Sequence, residues 1–145
     1  MTTKKRVDPQ PMRQTLADLG YERVHTFYDS HGNGHQETYQ RRGPTQRNVV
    51  LYVDQDGGLT EFGTEAGLNF RDYLLARDIL ERRDPDTERW VPVAERRVSP
   101  CGTAEFRDYK DTLYDRYVRV TSVGGHGDWA RPIKPDEAGQ EWEYS

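Results

Sequence analysis

The sequence predicts an α+β fold: an antiparallel sheet of four to five strands with two main helices on one face and a short N-terminal helix. Three observations carry this. Val49 to Val53 is an unbroken β-rich run, the pattern of a strand covered on both faces. Phe70, Tyr73, Leu74 and Leu80 fall on one helical face behind a capping Asn69. Turn clusters, Ser30 to Gly34 and Asp56-Gly57-Gly58, separate the β-rich segments.

The elements follow in order. Residues 1–10 are polar, carry Lys4, Lys5 and Arg6, and read as a flexible arm. Pro11 suits a first helical turn, Met12, Leu16 and Leu19 keep helical spacing, and Gly20 is a natural stop. Tyr21 to Asp29 and Gln36 to Arg42 read as two strands joined by the glycine loop, with Gly43-Pro44 ending the second. Asn48 to Asp54 and Leu59 to Phe62 form a hairpin through Asp56-Gly57-Gly58. The main helix ends near Arg83, ahead of Pro85. Pro92 limits any strand in Glu88 to Val98 to a sheet edge. Phe106, Tyr109, Leu113 and Tyr117 stand three, four and four residues apart, which predicts a second main helix capped by Thr103. Tyr117 to Val123 alternates as a strand and stops at Gly124 to Gly127. Residues 11–131 read as a single α+β domain, and 132–145 as an acidic, Pro-containing tail.

One tetrapeptide occurs twice, as Phe70-Arg71-Asp72-Tyr73 and as Phe106-Arg107-Asp108-Tyr109. The flanks differ, so two amphipathic helix starts that converged explain it better than a duplication.

Composition narrows the function classes. Leu, Ile, Val and Phe total 26 of 145 residues, below the ~20% level that accompanies disorder in highly charged chains. The net charge is only −4, so the reading is a folded domain with a thin core. Of the 21 basic residues 17 are Arg, beside 9 Tyr and 3 Trp, the types that dominate interface energetics. Residues 1–47 hold 8 basic and 5 acidic side chains, a net of +3. The remainder holds 13 and 20, a net of −7. A phosphate-facing surface therefore belongs to the first third. A single cysteine, Cys101, excludes an internal disulfide and a cysteine-based zinc site. With no apolar leader and no membrane-length apolar run, the expectation is a cytoplasmic protein without membrane contact.

No motif assembles a catalytic set. His31 and His35 bracket a glycine loop and could converge on a hairpin with Asp29 or Glu37 nearby, but solvent-exposed loop histidines are the better reading, so no metal and no cofactor are expected. Cys101 lies between Pro100 and Gly102 with no local feature that lowers a thiol pKa. Asp72, Asp78, Glu81, Asp108, Asp111 and Asp115 intersperse with Arg at helical spacing, as on a solvated helix face. No phosphate-binding glycine motif is present.

The order helix, three strands, helix in residues 11–83 resembles double-stranded-RNA-binding domains and the small HicA-type toxins. Leu19-Gly20-Tyr21 looks like the end of their first helix, and Val49 to Val53 like their third strand. Gly34-His35 resembles the place of their Gly-x-His motif. By that resemblance His35 is the general acid/base of an RNA-cleaving site.

The leading expectation is a non-enzymatic binding protein, an accessory or inhibitory factor of the kind bacteria, phages and plasmids carry, whose partner is another protein. Tyr39, Arg41, Arg42, Arg47 and Tyr52 are the expected binding residues. The alternative is a nucleic-acid-binding or RNA-cleaving domain that uses the Arg41 to Arg47 surface and His35, through phosphate contacts and base stacking.

Overall fold

The computed structural model describes residues 7–42, 47–65, 67–81, 84, 86–124 and 126–140. The Lys4 to Arg6 arm, Gly43-Pro44, the expected helix end at Arg83 and the acidic residues 141–145 lie outside them. Helix α1 spans Gln10–Asp18. A four-stranded antiparallel meander follows: β1 (Glu22–Tyr28), β2 (Gly34–Arg41), β3 (Arg47–Asp54) and β4 (Leu59–Glu65), in that spatial order. Helix α2 covers Phe70–Leu80. The rest of the described chain is a second antiparallel sheet: β5 (Trp90–Pro92), β6 (Arg97–Val98), β7 (Ala104–Asp111), β8 (Arg116–Val123) and β9 (Gly127–Ile133). Its path is β5-β7-β8-β9, with β6 also paired to β7.

The protein is α+β, but two features correct the sequence reading. The strands form two sheets rather than one. The segment expected to be a second main helix is instead the hairpin of β7 and β8, turned at residues 112–115 with Asp115 in the left-handed region (φ 50°). The turn is local chemistry: the Asp111 carboxylate accepts a hydrogen bond from Leu113 N–H at 3.1 Å. The repeated tetrapeptide therefore opens a helix in one place and lies mid-strand in the other. At α2, Asn69 Oδ1 accepts from Asp72 N–H at 2.9 Å and caps the first turn. The expectation for the tail also changes at its start, because β9 runs through Pro132 to Ile133. Pro132 sits on the last strand of the sheet path, where a missing N–H is tolerated.

One core joins the two sheets. Met12 and Leu16 of α1 and Leu74, Ala76 and Ile79 of α2 pack with Val49, Leu51 and Phe62 of the first sheet. Tyr109, Val118 and Val120 of the second sheet and Trp90 belong to the same cluster. Each such aliphatic side chain stabilises the fold by about 1.5–3 kcal/mol through burial. The sheets meet where β4 passes β9. Asp128 N–H donates to Thr64 Oγ1 at 3.1 Å, and the two backbones pass close beside it. A Cβ on Gly127 would stand 1.9 Å from Thr64 O, and Gly127 has φ +87°, so both sterics and dihedral demand glycine.

Candidate functional site

Pairing parity sorts the first sheet into two faces. Arg23, Tyr39, Val49 and Thr64 share one register row, followed on the same face by Thr26, Glu37, Leu51 and Phe62. This is the core face. His25, Thr38 and Val50, then Phe27, Gln36 and Tyr52, lie on the other.

The core face carries a charged centre that the sequence reading missed. Glu37 is completely buried. Arg13 of α1 grips it with both branches, Nε donating to Oε1 at 2.9 Å and Nη2 to Oε2. Tyr39 OH donates to Oε1 at 2.8 Å, and Arg23 Nη2 stands 3.5 Å from Oε2. These donors outweigh the desolvation that opposes charge, and they hold the Glu37 carboxyl at a pKa of about 2. Burial, then the hydrogen bond to Glu37, pushes the Tyr39 phenol up to about 12. His35 Nε2 lies 2.7 Å from Glu37 Oε2. Because that carboxylate is ionised at neutral pH, Nε2 carries the proton and donates.

The structure does not bring the expected binding residues together. Tyr39 is buried at the Glu37 centre, on the opposite face from Tyr52, so it is not a surface residue. Tyr52 is half-buried on the outer face. Arg41 and Arg42 are exposed at the end of β2, and Arg47 lies half-buried opposite Arg41. His31 and His25 are exposed, the latter edge-on to Phe27 with ring centroids 3.9 Å apart. No group of three or more His, Cys, Asp or Glu placed to hold a metal occurs among the described residues.

The carboxylates read as a solvated helix face are partly the reverse. Asp78, Asp108 and Asp111 are fully buried. Arg89, itself fully buried, donates to Asp111 through Nε at 2.9 Å and Nη2 at 3.0 Å, to Glu81 at 2.8 Å, and to Asp78. Asp108 takes Arg119 at 2.8 Å, Arg97, and the Gly139 N–H at 2.8 Å. Part of the Tyr abundance goes into the interior, where Tyr21, Tyr39, Tyr73 and Tyr109 are buried beside Trp90 and Arg89. Cys101 corrects a second expectation. It is exposed, but hydrogen bonds from Ser99 and Thr103 bring its thiol down to a pKa of about 7.

The most open surface is β1. Six of its seven residues are exposed, Phe27 at 59% and Tyr28 at 78%. It pairs only with β2 among the described residues, so its other edge is free. Asp29 N–H donates to Gly34 O at 2.9 Å. Alternation along the antiparallel pair then directs the backbone groups of Phe27 and His25 to β2 and those of Thr26 and Tyr28 outward. A shallow depression beside this edge is lined by Phe27, Tyr28, His35 and Tyr52.

No protein-family model matches the chain, and no curated protein matches it significantly in sequence. No helix among the described residues is long and apolar enough to cross a membrane.

Proposed function

We propose that the chain is a non-enzymatic protein-binding module, an accessory or inhibitory factor that captures an extended segment of a partner protein along β1. One observation carries this: β1 combines a free strand edge with the exposed apolar side chains Val24, Phe27 and Tyr28. An unpaired edge offers main-chain hydrogen bonds, and alternate side chains supply specificity. Val24 falls at the register shift between Arg23 and His25, a β-bulge that leaves His25 to Tyr28 as the longer regularly paired stretch. The occupant is a short apolar β-strand of the partner, seated against Phe27 and Tyr28.

The test is capture from a bacterial lysate, with and without nuclease, using the wild type, Phe27→Lys and Thr26→Pro. Thr26→Pro removes an outward N–H without removing a β1–β2 bond. Nuclease-resistant recovery of one protein that both variants abolish supports the reading. Recovery that ignores both variants overturns it, and recovery that vanishes with nuclease transfers the interaction to Arg41, Arg42 and Arg47. His35→Ala separates the enzymatic alternative, since loss of a general acid or base costs about 10²–10⁴-fold in turnover. A binding module has no turnover for that variant to abolish.

A further inference from the structure

The seam between the sheets opens into a cleft of about 540 Å³, to which the first sheet contributes Arg47 of β3. Its lining includes Arg47 from the start of β3, Arg71 from α2, Arg96 from the loop before β6 and Arg107 from β7. Two carboxylates, Glu105 and Asp128, share it. Arg96 pairs with Glu105 at 2.9 Å, so that pair is internally neutral. The other three guanidiniums have no carboxylate partner within salt-bridge distance among the described residues. Arg47 and Arg71 are tethered instead by the main-chain carbonyls of Gly67 and Trp90. Arg107 sits over the Phe70 ring, 5.7 Å from its centroid, and its Nε is buried without a hydrogen-bond partner. Asp128 is the remaining countercharge, one carboxylate against three guanidiniums.

Three guanidiniums held by neutral groups and lining one concavity suit an anion with several acceptor oxygens. Guanidinium matches phosphate in a planar, two-point geometry, and a hydrogen bond between charged partners is about twice as strong as a neutral one. The volume falls within the ~300–1,000 Å³ of small-molecule sites. We propose that this cleft binds the phosphate group of a phosphorylated ligand, held by Arg71 and Arg107 with Arg47 at the rim. The phosphate comes from a small molecule of mononucleotide size or from a nucleic-acid strand, and the two sources behave differently in salt.

The experiment is calorimetric titration of the full chain with inorganic phosphate, with adenosine monophosphate and with a short single-stranded oligonucleotide, each against sodium chloride at matched ionic strength. The expected result is saturable binding that Arg107→Gln and Arg47→Gln each weaken about tenfold, the scale of one lost charged hydrogen bond. Arg131→Gln, exposed on β9 and outside the cleft, leaves binding unchanged. Arg47→Gln keeps the test decisive if Arg107→Gln does not fold. Mononucleotide binding with a shallow salt dependence identifies a small phosphorylated ligand. Oligonucleotide binding alone, falling steeply with salt, identifies a strand. If none of the three binds above the chloride control, or if folded Arg107→Gln and Arg47→Gln both bind like the wild type, the proposal fails.

Discussion

The two buried ion centres invert one another. In the first sheet a single carboxylate, Glu37, is wrapped by Arg13, Arg23, His35 and Tyr39. In the second, a single guanidinium, Arg89, is wrapped by Asp78, Asp111 and Glu81. Their access to water differs as well. The donor side chains around Glu37 keep partial exposure, 26% for Arg13, 41% for Arg23 and 20% for His35. Arg89, Asp78 and Asp111 keep none. Deleting the central charge therefore strands very different partners. At Glu37 the orphaned arginines can rehydrate, whereas at Arg89 buried Asp78 loses its cation and Asp111 is left with Arg116 alone.

The largest expected effect follows from that contrast. Arg89→Met takes the cation from buried Asp78 and leaves Asp111 with Arg116 alone, and it costs about 3–5 kcal/mol, lowering Tm on the order of 10 °C in a thermal melt. Next is acid. Hydrogen bonds from Arg89 and Arg116 hold Asp111 at a pKa of about 2, as Glu37 is held, against ordinary values of 3.8 and 4.5. A depressed pKa stabilises the folded state above the unfolded value, and that stability disappears as pH falls through the folded one. Stability should thus fall between about pH 4.5 and 2, by on the order of 2–3 kcal/mol for each group, measured by urea denaturation across that range. Glu37→Gln comes third, at about 1–3 kcal/mol, and it removes its share of the acid dependence. A loss as large as that of Arg89→Met would break the comparison. His35→Ala is the smallest, about 0.5–1.5 kcal/mol, because it deletes one hydrogen bond from a carboxylate that keeps three other cationic or hydroxyl neighbours.

The same contrast explains what the sequence revealed. Strand β3 was legible because Val49 to Val53 is apolar without interruption, and α2 because its apolar face and its Asn69 cap agree. Strand β7 was not legible. Its buried positions include Asp108 and Asp111, so the period-two apolar signal is broken by charges that arginines neutralise. What remained, Phe106, Tyr109, Leu113 and Tyr117, matched a helix by accident of spacing. The tetrapeptide Phe-Arg-Asp-Tyr makes the point directly. Behind Asn69 its Asp lies in a capped first turn, and on β7 its Asp enters an Arg97 and Arg119 clamp. Local preference was equal, and tertiary partners decided. Glu37 did leave a trace: it shares strand parity with Tyr39, so a buried Tyr39 requires a core-facing Glu37. Partners as distant as Arg13 in α1 left none, and neither did the arginines that line the cleft from β3, α2 and β7.

The contact between Gly127 and Thr64 bears on the cleft beside it. Main chain rests on main chain at that point, and the neighbouring residue, Asp128, already belongs to the cleft lining. The spacing of the arginines on either side is thus gauged by a missing methyl group. Alanine at 127 would act as a shim between the two backbones beside the cleft, without altering a single charged residue.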